Sequence, residues 1–387
     1  MPDVFVIAAQ RSAIGRFGGA FRELTPPALA APVMQKALEL AGVAGEQLDL
    51  VIMGNVLRGG HGQLLPRQAA FLAGIPKHVD ALAVDMVCSS GMAAVMTAAS
   101  QIKAGESDVV LAGGMESMSG AGFALDSQAR WGWKYAPGGA RIVDLMARDG
   151  LTDPESGDAM GEQTERLIAE EGVGRSELDL VAVASHKRAR AATDSGAFGE
   201  EIAEVGGVTV DEGIRRETTV DSLGSLRPAF RNDGALTAGN SSQISDGAAA
   251  LVLASERAVA EHGLRPLAKI TASAWAAGEP YRFPEAPIPA VEKLLKREGK
   301  SITDFDLFEN NEAFALNTVL FTRRLGVDPE KLNVNGGAIA LGHPIGCSGA
   351  RILVTLIHAL RNRGASNGLA AICHGTGGGT VTSVEAV

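Results

Sequence analysis

The chain repeats one pattern in its two halves, and this repeat constrains the fold more than any other feature of the sequence. In each half a Ser-Gly pair opens a helix-length segment, which ends at a glycine and leads into an apolar strand and a glycine-rich turn. Gly91 and Gly105 lie 14 residues apart in the first half, and Gly349 and Gly364 lie 15 apart in the second. Strands that alternate with helix-length segments are typical of βαβ units. The repeat therefore predicts two duplicated βαβ halves.

Between the halves the residue composition and the pattern of predicted elements change. From about Ser119 the chain is rich in Gly, Trp and Pro, helical patterns follow, and a strand pattern returns at Asp246. A chain of 387 residues also exceeds the size of one simple core. We therefore predict an α/β protein with a first half formed by residues 1–118 and 246–263, a helical and loop insertion over 119–245, and a second half over 264–387.

The spacing of apolar residues predicts individual elements within this plan. The predicted strands are Val4–Ala9, Leu48–Met53, Leu82–Val87, Asp108–Ala112, Asp246–Ala254, Phe305–Phe308 and Leu369–Ile372. The predicted helices are Pro27–Ala41, Ser89–Lys103, Gly157–Glu171, Arg175–Ala192, Glu256–His262, one opened by Asn310–Phe314 and one that starts at Ser348.

Charge and cysteine content exclude several classes of function. The net charge is −10 and no block of Lys or Arg stands out, which argues against a nucleic-acid or anionic membrane surface. Three cysteines with no CxxC pattern favour reduced thiols and a cytoplasmic location. The start of the chain does not resemble a secretory or transit peptide, and the uncharged stretch Met86–Ile102 is too polar for a membrane span.

Cys88 is the first candidate for chemistry, because it joins an apolar strand to a helix rich in small residues. A helix N-terminus favours a thiolate, so we expect the pKa of Cys88 to be lowered. The neighbouring Ser89, Ser90 and Gly91 are small and leave space for a substrate. A buried structural cysteine is the alternative interpretation, and it is the commoner fate of a lone cysteine.

Two further segments from the second half carry candidate groups. His343 lies on a glycine-rich turn before a helix, where an imidazole could accept a proton from a thiol. Cys373 ends the strand predicted to be the last one, and the glycines from Gly375 onward could offer backbone N–H groups to an oxyanion. The alternatives are a structural loop histidine and a core cysteine. His374 could be a second base, but as a strand neighbour of Cys373 it should point to the opposite face.

Asn311 lies in the segment NNEAF, which follows a predicted strand. An asparagine at a helix start is usually an N-cap, although its amide could also hold a water or donate to an oxyanion. The other chemical templates are missing: the sequence has no HExxH, P-loop or GxGxxG motif, and its seven histidines are not spaced as metal ligands. No metal site is therefore predicted.

Taken together, these segments resemble the signature blocks of thiolases. The similar blocks, in chain order, are RSAIGRFGG, VCSSGMAA, LAGGMESMS, LTAGNSSQISDGAA, NNEAFA, NVNGGAIALGHPIGCSGAR and CHGTGGG. They span essentially the whole chain, and their joint order is far more specific than any one of them. The resemblance implies a five-layered αβαβα fold of two duplicated halves plus a loop domain.

The resemblance also implies a role for each candidate group. Cys88 would accept an acyl group from a coenzyme A thioester, and His343 would take the thiol proton. Cys373 would exchange the α-proton of acetyl-CoA. His343 and Asn311, the latter through a water, would form one oxyanion hole, and the N–H groups of Cys88 and Gly375 would form the other. Such a Claisen condensation needs a covalent carrier, a base for a weakly acidic C–H and a stabilised enolate oxygen.

Coenzyme A contacts follow from the same resemblance, and Arg215 would supply the local positive charge that a phosphate-bearing ligand needs in an acidic protein. From residues alone, Arg215 could equally be a solvated surface arginine. By matching position, the contacts carried over are Leu151, Met160, Arg215, Ser222, Ala238, Ser242, Ala313 and Phe314.

The pattern also departs from typical thiolases at a few positions. Ala159 stands where many biosynthetic members carry His, Thr376 is more similar to degradative 3-ketoacyl-CoA thiolases, and His374 and Cys347 replace an aliphatic residue and an alanine. These departures bear on acyl-chain specificity. The chemistry expected is acetyl-CoA C-acyltransferase, most specifically acetyl-CoA acetyltransferase, with a longer-chain degradative thiolase as the alternative.

Two rival classes predict different behaviour. A ketoacyl synthase would use an acyl carrier protein and a malonyl donor, and the cysteine at position 373 argues against it. A non-catalytic acyl-CoA-binding or scaffold protein on the same fold would bind thioesters without turnover.

The thiolase prediction needs coenzyme A only as a substrate, with no cofactor. It implies a homodimer or homotetramer, with Gly120–Arg141 as a tetramer contact.

Overall fold

The computed structural model describes residues 2–135 and 139–387. Its strands are β1 (Val4–Ser12), β2 (Gly15–Arg16), β3 (Leu50–Gly54), β4 (Asp80–Val84), β5 (Val109–Ser117), β6 (Phe123–Leu125), β7 (Ile142–Asp144), β8 (Ile202–Ala203), β9 (Ser245–Ser255), β10 (Ala268–Ala277), β11 (Leu307–Asn310), β12 (Asn367–His374) and β13 (Gly378–Ala386). Its α-helices are α1 (Pro26–Ala41), α2 (Leu65–Leu72), α3 (Ser90–Ala104), α4 (Met160–Glu171), α5 (Arg175–Asp194), α6 (Val220–Gly224), α7 (Glu256–His262), α8 (Pro287–Glu298), α9 (Ala315–Leu325), α10 (Ala338–Leu341) and α11 (Ile345–Arg363).

The two halves form sheets with the same arrangement of strands. In the first half the strand order is β1-β9-β5-β3-β4, and in the second it is β10-β13-β12-β11. In both, the strand after the repeated helix pairs antiparallel with one neighbour and parallel with the other. Even an irregularity is repeated, because the register shifts between Val6 and Ala8 in β1 and between Ile270 and Ala272 in β10. The edge strands β1 and β10 pair and join the two sheets.

Helices cover both sheets and fill the space between them. One buried cluster packs α1 and α2 on the outer face of the first sheet, and another packs α8 and α9 on the outer face of the second. A third places α3 and α11 between the sheets. The predicted five-layered αβαβα fold is therefore confirmed, and its central helices are those that the sequence repeat marks.

The paired glycines of the repeat explain why these central helices approach so closely. A Cβ at Gly91 would lie 2.8 Å from the Ala350 nitrogen, and one at Gly349 would lie 2.5 Å from the Met92 nitrogen. The N-terminal parts of α3 and α11 thus pack backbone against backbone, which no larger residue at these two positions would permit. This contact brings Cys88 and His343, which precede the two helices, to the same end of the central layer.

Residues 119–245 leave the first half after β5 and return to it at β9. They contain the β6–β7 hairpin and the helices α4, α5 and α6. Leu167 and Leu178 from α4 and α5 join the cluster that covers the second sheet. Among the described residues, no helix has the length and apolarity to cross a membrane. The boundaries of the three predicted units stay a prediction.

Several predicted elements differ at their ends, and each difference affects a candidate residue. The strand predicted over Leu82–Val87 ends at Val84. The helix predicted to open at Asn310–Phe314 begins at Ala315 with Phe314 as its N-cap, so the predicted helix start is wrong and the alternative interpretation of Asn311 as an N-cap is excluded. The helix predicted from Ser348 begins earlier, at Ile345. Finally, Cys373 does not lie on the last strand, because β13 follows it and pairs with β12.

Candidate active site

A strained turn presents Cys88 at the start of α3. Val87 has φ +48, a left-handed conformation that is unusual for a β-branched residue. Ser90 stabilises this turn, because its hydroxyl accepts from the Met86 N–H at 2.8 Å and donates to the Val87 carbonyl at 2.6 Å. The small residues around Cys88 therefore shape the turn itself as well as leaving space beside the sulfur.

The predicted lowering of the Cys88 pKa is wrong for the free protein. Burial raises the pKa of this thiol to about 12, whereas the N–H groups of Gly375 and of Cys88 itself lower it, and the charge of Glu116 raises it further. Desolvation of a thiolate thus outweighs the favourable dipoles of the helix start. It follows that the thiol is protonated at neutral pH and must transfer its proton to a base when it reacts.

Cys373 lies close enough to Cys88 for their charges to interact. Burial raises the pKa of the Cys373 thiol, the charge of Cys88 raises it further, and a hydrogen bond from Asn317 lowers it. The Asn317 amide Nδ2 donates to the Cys373 sulfur over 3.2 Å. The structure thus brings together a partly buried thiol from the first half and a fully buried one from the second.

The hydrogen bonds of His343 determine which of its nitrogens carries the proton. The Ser348 hydroxyl donates to the Pro344 carbonyl at 2.9 Å, so it can only accept from His343 Nδ1, which lies 2.6 Å away. Nδ1 therefore holds the proton and Nε2 has a free lone pair. Burial, with a smaller contribution from the positive charge of Arg351, lowers the pKa of His343 to about 3. The imidazole is neutral and can act as a base.

Asn311 lies beside this imidazole, on the segment between β11 and α9. Its Nδ2 is 3.4 Å from His343 Nε2, and its backbone N–H donates to the Ala371 carbonyl on β12 at 3.0 Å. Its Oδ1 is buried without a partner. The amide is thus fixed next to the lone pair that would receive a proton, and both groups can face one oxygen atom of a ligand.

Glu116, at the end of β5, ties the two halves together beneath these residues. Its carboxylate accepts from the Asn55 side chain at 2.7 Å and from the backbone N–H groups of Val56 and Leu57, both at 3.1 Å. It also accepts from the Gly346 N–H, at 2.9 Å, in the first turn of α11. One buried side chain therefore couples the first half to the helix that follows His343.

A cavity of about 630 Å³ leads from the surface to His343. Six of the eight predicted coenzyme A contacts line it, namely Leu151, Met160, Arg215, Ala238, Ser242 and Phe314. Cys88 packs against the buried cluster that contains Met118 and Ile345, two residues of the cavity wall, so the thiol lies close behind that wall. The volume lies within the usual range for a small-molecule site.

The other two predicted contacts are not part of the cavity wall. Ser222 lies in the short helix α6, where its hydroxyl donates to the Thr219 carbonyl. Ala313 is buried, and its carbonyl accepts from the Ser242 N–H at 3.0 Å. Ala313 thus supports a wall residue instead of lining the space. Their contact with coenzyme A stays a prediction.

Sequence reasoning did not single out several wall residues, which are Arg16, Phe17, Met118, Ala147, Thr152, Gly161, Ala229, Phe230, Ser241, Gln243, Ile244 and Ile345. Phe230 packs edge-on against Phe314, with ring centroids 5.9 Å apart, and completes an apolar wall. Arg16 belongs to the N-terminal glycine-rich block, which was the available signal. Together with Arg215 it gives the cavity two cations suited to phosphate groups.

Fold and site together define a thiol-based acyltransferase. The chain belongs to the thiolase family: residues 4–257 match the family's N-terminal domain and residues 264–386 match its C-terminal domain.

Comparison with known proteins agrees over the full length. The chain is 60% identical to an acetyl-CoA acetyltransferase of Synechocystis sp., with 100% of both chains covered. It is 43% identical to the acetyl-CoA acetyltransferase of Escherichia coli, with 100% and 99% covered. Among solved structures, the acetyl-CoA acetyltransferase of Bacillus anthracis superposes with a TM-score of 0.97 at 42% identity, covering 100% and 99% of the chains. A thiolase of Ascaris suum in complex with coenzyme A gives 0.94 at 38% identity, with both chains fully covered.

Proposed function

We propose that this protein is an acetyl-CoA C-acetyltransferase, which condenses two molecules of acetyl-CoA reversibly to acetoacetyl-CoA and coenzyme A. The observation that supports the proposal is that Cys88 interacts electrostatically with Cys373 and packs against a buried cluster whose member Ile345 lines one cavity with the neutral His343. Relatives that carry this activity in their names support the choice of acetyl group.

In the first half-reaction Cys88 is the nucleophile. Its S–H proton passes to Nε2 of His343, its sulfur bonds to the acetyl carbon, and the bond from that carbon to the coenzyme A sulfur breaks. The departing thiolate then takes the proton from the imidazole and leaves as coenzyme A. The N–H groups of Cys88 and Gly375 stabilise the oxyanion of the tetrahedral intermediate. This role is supported by their effect on the Cys88 sulfur, whose pKa both groups lower because they stabilise its anionic form.

In the second half-reaction Cys373 acts as the base. Its S–H proton first passes to Nε2 of His343, and the resulting thiolate removes the α-proton of a second acetyl-CoA. The enolate oxygen then accepts hydrogen bonds from the protonated Nε2 of His343 and from a water held by Asn311. The enolate carbon attacks the acetyl carbon on Cys88, the thioester to Cys88 breaks, and acetoacetyl-CoA forms. The freed Cys88 thiolate recovers its proton from Nε2 of His343, and Cys373 keeps the α-proton as its thiol proton. The thiols and the imidazole supply every group that these steps need, so the proposal includes no cofactor.

The cavity supports coenzyme A as the common part of every substrate. Leu151, Met160 and Phe314 offer apolar contact to the pantetheine arm, while Arg16 and Arg215 offer charge to its phosphates. Ser222 and Ala313 complete the set carried over by resemblance. With Cys88, Cys347 and Cys373 all free, we place the protein in the cytoplasm, where thiols stay reduced.

Acyl-chain length separates the proposal from its alternative, and we expect thiolysis of acetoacetyl-CoA to be the preferred reaction. A narrow site discriminates by about 1–3 kcal/mol for each methylene that it cannot accommodate. The measurement is kcat/KM for 3-ketoacyl-CoA esters of graded length. A rising value with chain length would establish the degradative 3-ketoacyl-CoA thiolase instead. Binding without turnover of any ester would favour a scaffold protein, and activity only with malonyl groups on a carrier protein would favour a ketoacyl synthase.

We further propose that the protein is a homodimer or homotetramer. Apolar side chains on the β6–β7 hairpin lie largely in water, including Phe123 at 69% and Ile142 at 70% exposed. In the same segment Trp131 and Tyr135 are 76% and 83% exposed, an unusual state for large aromatics. The tetramer contact predicted over Gly120–Arg141 includes Phe123, Trp131 and Tyr135 and ends one residue before Ile142. Residues 136–138 of that range lie outside the described residues.

Light scattering coupled to gel filtration tests this assembly. We expect the mass of two or four chains, and we expect a Trp131→Glu, Phe123→Glu variant to halve a tetramer without loss of folding, because charges at the centre of an apolar contact oppose association. The control variant Glu46→Gln changes an exposed residue of the first half, which lies on a different element. A monomer for the unaltered protein would contradict the proposal.

A further inference from the structure

His374 fills a position in the reactive turn that the mechanism above does not use. It ends β12 beside Cys373 and precedes Gly375, and only 8% of its surface is exposed. A buried imidazole in such a place needs a physical reason, because an aliphatic side chain would avoid the cost of burying two ring nitrogens.

One ring nitrogen of His374 makes a short hydrogen bond to the turn itself. Nδ1 lies 2.7 Å from the Gly375 carbonyl oxygen. Since a carbonyl can only accept, Nδ1 must carry the proton and donate. The other nitrogen, Nε2, is buried without a partner. Desolvation lowers the pKa of His374, so the ring is neutral and donates only through Nδ1.

The ring is held in place from the opposite side of the turn. His374 and Gly378 are antiparallel partners in β12 and β13, and a Cβ at Gly378 would overlap the ring at Nε2. Between them the chain adopts left-handed conformations, with φ +68 at Thr376 and +84 at Gly377. A non-glycine residue in that conformation is strained, so the turn needs contacts that hold it.

From these contacts we infer that His374 is a positioning residue: its bond to the Gly375 carbonyl fixes the turn so that the Gly375 N–H stays directed at the Cys88 sulfur. The inference rests on the proposed function, because it assigns His374 to the oxyanion hole of the acyl-loading step. Gly375 has no side chain to restrict its own rotation. The hydrogen bond closes a ring that runs from the imidazole through Cα of His374, the 374–375 peptide and Cα of Gly375 to its carbonyl. It therefore restrains the backbone torsions on both sides of the Gly375 N–H, and so the direction of that N–H.

Two variants at position 374 with side chains of similar shape but different polarity test this role. In His374→Asn the amide nitrogen takes the place of Nδ1 and can donate to the Gly375 carbonyl, whereas in His374→Leu a methyl group stands there. Loss of one oxyanion-hole donor costs about 10²–10³-fold in rate. We expect single-turnover acetylation of Cys88 by acetyl-CoA to slow by about 10- to 100-fold in the Leu variant, where the donor is displaced but not removed. The Asn variant should recover most of the rate, and KM should change little in both.

A second pair of variants displaces the ring without changing residue 374. Gly378→Ala should slow loading as His374→Leu does, because the new methyl group pushes the imidazole away. In a His374→Ala background, where the ring is missing, Gly378→Ala should add little further loss. This pair decides the question even if His374→Leu fails to fold.

The outcomes separate the inference from the proposed function. If the unaltered protein is not acetylated by acetyl-CoA, the proposed function fails. If it is acetylated and His374→Leu loads at the same rate, only the role of His374 is overturned. Equal rates for the Leu and Asn variants, or the same loss from Gly378→Ala with and without the ring, would also overturn it, because then the hydrogen bond is not what matters.

Discussion

Replacement of Cys88 by alanine is expected to abolish turnover, with a loss of about 10⁴-fold or more, as for other enzymes that lose their nucleophile. The acetyl group has no other carrier in the proposed mechanism, and the neighbouring His343 cannot form the thioester that the condensation consumes. Intact-protein mass spectrometry after mixing with acetyl-CoA gives the direct readout. The unaltered protein should gain one acetyl group and the Cys88→Ala variant should gain none.

Cys347 supplies the matched control for this experiment. It is a fully buried thiol of the central layer, and burial raises its pKa to about 12, as for Cys88. The Gly375 N–H, which lowers the pKa of Cys88, is not among the groups that act on Cys347. Cys347→Ala should therefore retain both acetylation and turnover. An acetyl group that persists in Cys88→Ala, or is lost in Cys347→Ala, would show that Cys88 is not the carrier.

Replacement of Cys373 by alanine is expected to separate the two half-reactions. Loading of Cys88 needs only the imidazole and the first oxyanion hole, so acetylation should continue at a rate close to normal. Condensation needs a base for the α-proton, and loss of a positioned base costs about 10²–10⁴-fold. Acetylated protein should consequently accumulate in Cys373→Ala, while the formation of acetoacetyl-CoA nearly stops.

Proton exchange offers an independent check of the same variant. In heavy water the unaltered protein should introduce deuterium at the α-carbon of acetyl-CoA, and Cys373→Ala should not. The two thiols interact electrostatically, so removal of one also alters the pKa of the other. For this reason loading must be measured at several pH values. An equal loss of loading and condensation at every pH would refute the division of roles.

The fold could be predicted from the sequence because its controlling feature is local and repeated. Gly91 and Gly349 lie near the N-termini of two helices, and the spacing from each to Gly105 and Gly364 reveals the duplication without any knowledge of contacts. What the sequence did not reveal is that these glycines face each other across the central layer. That contact joins residues more than two hundred positions apart, so no local pattern encodes it.

The electrostatics of the site were the least predictable part. A helix start can be recognised from sequence and predicts a lowered pKa for Cys88, but the extent of burial depends on packing from both halves, and burial dominates. The start of α9 was also predicted too early in the chain. Asparagines such as those after β11 are typical of a helix start, whereas the actual N-cap, Phe314, is an unusual one. The tautomer of His343 depends on its contact with the Ser348 hydroxyl and on the bond from that hydroxyl to the Pro344 carbonyl, and neither contact can be recognised in the sequence.

The backbone contact between α3 and α11 has a consequence for how this protein loses activity. Cys88 belongs to one half and His343 to the other, and both lie next to the helices whose close contact joins the halves. Moving the two helices apart by the width of a single methyl group would already separate the nucleophile from the base. The hydrogen bonds within each sheet would still be intact. Disruption of the contact between α3 and α11, by heat or by a larger side chain, should therefore abolish activity while most of the fold is retained.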